Sequence, residues 1–268
     1  MSYKINLSKN IQSEVQNVID SQLKKTLDLL LDKNRSEAKK IHDIRKVFKK
    51  IRALLKLIKY DLKDKDIYTT QNEYYKNIGK LFSQSRDNVV LVKTFDKIIE
   101  KYELDRDKYN NPIQYLESTH NQEKFTVLLK EMEERRKTVW VYQLKKKKKP
   151  LKKGLKKTYK KLKKRKKKAY KTNSDADFHE WRKAVKNYMY QLKLLQKNFP
   201  KKIKKSLKKI KKLADILGFD HDISVLKALL LSKNSNDPLV RYLEKEQKHL
   251  RKKASKIKVK GFHKRWNS

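Results

Sequence analysis

The chain has 268 residues, with 74 Lys and Arg against 30 Asp and Glu and a formal net charge of +44. Four glycines, four scattered prolines and no cysteine exclude a many-stranded sheet rich in tight turns, a disulfide framework, a thiolate metal site and a thiol nucleophile. The length suffices for one large domain or two small ones, and so large a positive charge calls for a polyanionic partner to offset self-repulsion.

Apolar residues recur at helical spacing, which predicts helices over 8–33, 36–61, 67–83, 86–107, 112–147, 150–171, 175–199, 201–217, 221–231 and 236–260. The predicted fold class is all-α. Asn111 before Pro112, and Asp237 before Pro238, each set a capping side chain ahead of a proline suited to a first helical position. Ser174 with Asp177 forms a capping-box variant. Between 145 and 168 the chain holds 16 Lys, Arg165 and no acid, the composition of a disordered basic tail. Leu151, Leu155, Tyr159, Leu162 and Ala169 nonetheless keep helical spacing, so a basic amphipathic helix is the preferred reading there. The start of the chain has no apolar stretch of signal-peptide length and no window reads as membrane-spanning, so an unsecreted, cytoplasmic protein is expected.

The elements fall into two sets. IHDIRKVFKKIRALLKLIK, starting at 41, resembles FHEWRKAVKNYMYQLKLLQ, starting at 178. NIGKLFSQSRDNVVLVK, starting at 77, resembles KLADILGFDHDISVLKA, starting at 212, and pairs Arg86-Asp87 with His221-Asp222. Matched pairs in one order at nearly one separation indicate an internal duplication, with halves 1–147 and 148–268.

On the first of these helices His42, Arg45, Lys46, Lys49, Lys50, Arg52 and Lys56 fall within an arc of about 160°. Ile44, Val47, Phe48, Ile51, Leu54, Leu55 and Ile58 take the other side. On the second, His179, Arg182, Lys183, Lys186 and Lys193 repeat the arc opposite Phe178, Trp181, Val185, Tyr188, Leu192 and Leu195. A lysine stripe on one helix is commonly only a solvated face. The recurrence of H-x-x-R-K-x-x-K goes beyond solubility, because Arg grips phosphate oxygens bidentately and Lys adds an adaptable point charge.

These paired segments resemble the CHAD family, the conserved histidine alpha-helical domain, over nearly the whole chain. The match is carried by His42, Arg45, Lys46, Lys49 and Arg52, by His179, Arg182, Lys183, Lys186 and Tyr190, and by LFSQSRD at 81–87 and LGFDHD at 217–222. The resemblance implies one domain of two pseudo-symmetric four-helix bundles whose histidine-bearing helices line a surface that binds inorganic polyphosphate. It also allows association with polyphosphate granules. Met189 and Asn187 stand at the places of Arg52 and Lys50, which predicts a weaker grip by the second copy.

No cofactor, metal site or catalytic residue is expected: HExxH, Walker A and nucleophile-elbow patterns are absent. Asp220-His221-Asp222 reads as a helix-start cap rather than a metal site. Glu131, Glu133 and Glu134 lie in a predicted helix that separates Glu131 from Glu133 by about 200°, unlike strand-borne metal carboxylates. The alternative function is binding to an RNA or DNA backbone. Base-stacking platforms would distinguish it, and the periodicity puts Phe48, Phe178, Trp181 and Tyr188 in the core, leaving Tyr3, Tyr159, Tyr170 and Trp266 as candidates. A third class is an adaptor on an acidic protein or anionic membrane surface through the lysine-rich helices 150–171 and 201–217, with no integral membrane span.

Overall fold

A computed structural model describes residues 3–109, 121–145, 150–233 and 237–262, with side chains at all of these except 83–87 and 202. Among them the fold is all-helical. The elements are α1 (Ile11–Leu31), α2 (Glu37–Ile58), α3 (Asp66–Leu81), α4 (Ser83–Lys101), α5 (Gln122–Lys137), α6 (Lys152–Thr172), α7 (Asp175–Leu195), α8 (Pro200–Lys233) and α9 (Val240–Lys256), with short 3₁₀ turns at Arg106–Lys108 and Val139–Val141. The Asn111–Pro112 cap, the chain at 146–149 and Trp266 lie outside the described residues. No described helix is long and apolar enough to cross a membrane.

Several boundaries follow from local chemistry. The Asn10 side chain accepts from Ser13 N at 3.1 Å and starts α1. Ser174 Oγ accepts from Asp177 N at 3.2 Å, as the capping box predicts, and Asn173 at φ 50 closes α6 in the left-handed region that Asn tolerates. Asp237 Oδ1 accepts from Leu239 N at 2.9 Å, so it serves the start of α9 although the helix opens at Val240. The basic stretch is ordered from Lys152 as α6, with Leu155, Leu162 and Ala169 buried.

Two expectations need correction. The helix predicted over 112–147 stops at Lys137. Val139, Trp140 and Val141 form a 3₁₀ turn, after which Leu144 makes an isolated antiparallel bridge to Leu62 and Lys145 N donates to Asp61 O at 2.8 Å. The reversal buries Tyr142, whose hydroxyl donates to Gln71 at 3.0 Å. Secondly, 201–217 and 221–231 are one helix, α8, so Asp220-His221-Asp222 is not a cap. Buried Asp220 instead accepts from Arg251 Nε of α9 at 2.9 Å, and Arg251 also pairs with Asp175 at the start of α7. With its acid satisfied from outside, the helix carries on through Gly218 at a propensity cost of about 1 kcal/mol.

The main core joins α1, α2, α3, α5, α6, α7 and the first part of α8. A second core joins α4, the last part of α8 and α9. Helices α2 and α7 meet directly, and buried Gln191 Nε2 donates to Ala53 O at 3.1 Å across that seam. Helix α6 crosses close by at Gly154, where an added Cβ would stand 1.9 Å from Leu57 O. Only glycine permits this approach of backbone to backbone.

A cation-lined seam between two helices

The apolar sides of both helices are core as the periodicity predicts: Ile44, Val47, Phe48, Ile51, Leu54, Leu55 and Ile58 of α2, with Phe178, Trp181, Val185, Tyr188, Leu192 and Leu195 of α7, are each no more than 1% exposed. Burying these rows against one another leaves the two cation rows side by side along the same edge of the seam. The local helical pattern therefore builds the site.

Two cavities open along that edge. The wider, about 650 Å³, receives His42, Lys46, Lys49 and Lys50 from α2 and Lys186, Tyr190 and Lys193 from α7. Tyr3 and Lys4 of the leading segment, and Lys211 and Asp215 of α8, complete it. The second, about 350 Å³, shares Lys49 and adds Arg45 and Arg52 of α2 with His179, Arg182 and Lys183 of α7. Its other walls include Lys76 and Lys80 of α3 and His221 of α8. The seam thus gathers every candidate residue except Lys56, which lines a smaller cavity of about 180 Å³ with Lys59, Lys157, Lys161 and Asn187. Met189, at the place of Arg52, is buried against the wide cavity.

Neighbours hold several of these groups in place. The Arg45 guanidinium donates to Gly79 O of α3, and Arg52 Nε donates to Asn72 Oδ1 at 3.2 Å. Lys183 pairs with Glu180, and Lys46 lies 3.7 Å from Asp43. The hydroxyl of Tyr3 donates to Lys50 O at 2.8 Å. His179 and His221 bring their Nδ1 atoms to 3.0 Å, so one donates to the other.

The electrostatics follow from packing like charges together. Burial first, then Lys25, Lys46 and Lys193, lowers the Lys50 pKa to about 8. Burial, Arg52, Lys161 and Lys183 do the same for Lys56, also to about 8. Lys193 is lowered by burial and by Lys211. Burial and then Arg182 and Lys183 push His179 down to about 4, so in the unliganded protein at neutral pH it is an uncharged hydrogen-bonding ring rather than a cation.

Residues the sequence reading did not assign to the surface are Lys4, Lys76, Lys80, Lys211 and His221. The three lysines of α3 and α8 lie on helices whose own patterns do not announce which neighbour they will face. Of the aromatic candidates, Tyr159 donates to Val259 O at 3.0 Å and Tyr170 to Arg251 O at 2.8 Å. Glu131 of α5 accepts from the Tyr74 hydroxyl of α3, and among the described residues no group of three or more His, Asp or Glu is arranged to hold a metal.

Such an arrangement can hold a flexible chain of anionic oxygens by many charge-assisted contacts, with Arg for bidentate grip and Lys for adaptable charge. In comparisons with known proteins, residues 18–231 match the family model of the CHAD domain, a span that includes α2, α7 and every residue lining the two cavities except Tyr3 and Lys4. No curated protein gives a match.

Proposed function

The chain belongs to the CHAD family, and on that premise we propose that it binds inorganic polyphosphate without catalysis, along the α2–α7 seam. The observation that carries this reading is the meeting of two like cation rows at two cavities that share Lys49. A phosphate chain laid along the seam would displace counter-ions from both rows and relieve their mutual repulsion. The two rows are read as copies of one duplicated unit, and cytoplasmic location is part of the proposal.

The buried state of Phe48, Phe178, Trp181 and Tyr188 favours polyphosphate over RNA or single-stranded DNA, which recruit exposed aromatic platforms. The test is displacement of labelled long-chain polyphosphate by unlabelled polyphosphate or mixed-sequence RNA, at matched phosphate concentration and physiological salt. Preference for polyphosphate by more than about tenfold, or 1.4 kcal/mol, supports the reading, and RNA competing equally well replaces it with nucleic-acid binding.

A further inference from the structure

The side of α7 turned away from the seam carries a second concentration of charge. Tyr188 leaves α7 roughly 160° around its axis from Lys186. Its hydroxyl accepts from Phe262 N at 2.8 Å, and its ring lies 5.5 Å from that of Tyr159 on α6. Phe262 in turn meets Phe199, just before α8, at 5.1 Å between centroids. Residues 257–262 are therefore laid along the back of α7, between α6 and the start of α8.

Lys258 and Lys260 of that segment join Lys205 and Lys209 of α8 around a cavity of about 250 Å³, completed by Ser206 and Val259. All four lysines are exposed and no carboxylate lines the cavity. None of the four makes an ion pair among the described residues, whereas exposed lysines elsewhere, such as Lys24 and Lys137, do. Lys166 of α6 donates to Ser255 O at 3.0 Å at the edge of this face, and burial together with Lys258 lowers its pKa.

The start of α8 adds an independent pointer. Its first turn has no acid, and Lys201, Lys204 and Lys205 crowd the end that already carries the positive pole of the helix. Cations there oppose the helix dipole, and a bound anion relieves both conflicts. The thirteen Lys and Arg that line the two seam cavities are also a small part of the 74 in the chain, so the seam does not account for the charge.

We propose that this back face is a second polyphosphate site, which makes each molecule bivalent and able to cross-link two phosphate chains held on opposite sides of α7. The inference rests on the seam reading for its ligand class but on separate residues for its geometry. Once one long chain is held on both faces of neighbouring molecules, later contacts form at high effective concentration.

The test uses the full chain and a polyphosphate oligomer too short to reach around α7, titrated by calorimetry. Two oligomers bind the wild type. The variant K205Q/K209Q/K258Q/K260Q binds one, with the seam affinity changed by less than about twofold, and R45E/K49E/R182E/K186E also binds one, now at the back face. With long chains, light scattering near charge equivalence falls at least about fivefold in either variant. A single oligomer on the wild type overturns the proposal, as does unchanged stoichiometry in the glutamine variant. Anionic lipid vesicles that occupy the back face in preference to the oligomer overturn it too. If the glutamate variant keeps full affinity and stoichiometry, the seam reading fails, while loss of one oligomer in the glutamine variant still supports the back face.

Discussion

Binding along the seam should take up protons near pH 8. Lys50 has a pKa of about 8 in the unliganded protein, against an ordinary 10.5, because burial and the charges of Lys25, Lys46 and Lys193 disfavour its ammonium form. A phosphate chain in the wide cavity reverses the sign of that field and returns the pKa toward its ordinary value. At pH 8 free Lys50 is about half protonated and bound Lys50 nearly fully so, which gives an uptake of about half a proton. The complex then holds more protons than the free protein, so affinity falls as pH rises through 8. Full restoration to 10.5 would weaken binding about tenfold between pH 7 and 9, and solvent screening of this half-buried group makes that an upper bound. Calorimetry at pH 8 in buffers of different ionisation enthalpy counts the protons directly. Lys50→Arg, whose charge does not titrate in this range, should bind with a flatter pH profile. No uptake at pH 8, or equal pH slopes for the wild type and Lys50→Arg, would refute the reasoning.

Three further outcomes are expected. Neutralising Arg45, Lys49, Arg182 and Lys186 together to Gln should lower the slope of log affinity against log salt by about three, since each phosphate contact on a single-stranded polyanion contributes roughly 0.7; a titration series in salt measures it. Gly154→Ala places a Cβ 1.9 Å from Leu57 O and should cost about 1–3 kcal/mol of stability by forcing α6 off α2, read as a lower denaturation midpoint. Arg251→Met leaves buried Asp220 and its neighbour Asp175 without their shared cation, a loss of about 3–5 kcal/mol that thermal unfolding followed by circular dichroism would show.

The helix-bearing part of the fold was open to sequence reading wherever one face is apolar and the other charged. The cation rows of α2 and α7 were legible for that reason, since Phe48 and Trp181 can only be core and His42 and Lys186 then fall opposite. Helix α8 was not read as one piece, because Gly218 and the Asp220-His221-Asp222 cluster look like a stop and a new start until Arg251, 31 positions on, is seen to satisfy Asp220. The end of α5 was missed because Leu144 is drawn out of helix by Leu62, a partner distant in the chain. The same reason hid Lys76, Lys80 and Lys211: a residue's place on its own helix is local, but the cavity it lines is set by which helices meet.

The unbroken course of α8 has a consequence for how the molecule comes apart. It is 34 residues long, about 50 Å, and its Ile203, Ile210, Leu213 and Leu217 belong to the main core while Ile223, Leu226 and Leu230 belong to the second. Neither core can melt entirely without exposing half of a helix whose other half is still packed, so the two are coupled through a shared rod. Unfolding should proceed as one cooperative transition, and the amides near Leu213 to Leu226, at the crossing between cores, should exchange with solvent only through global opening.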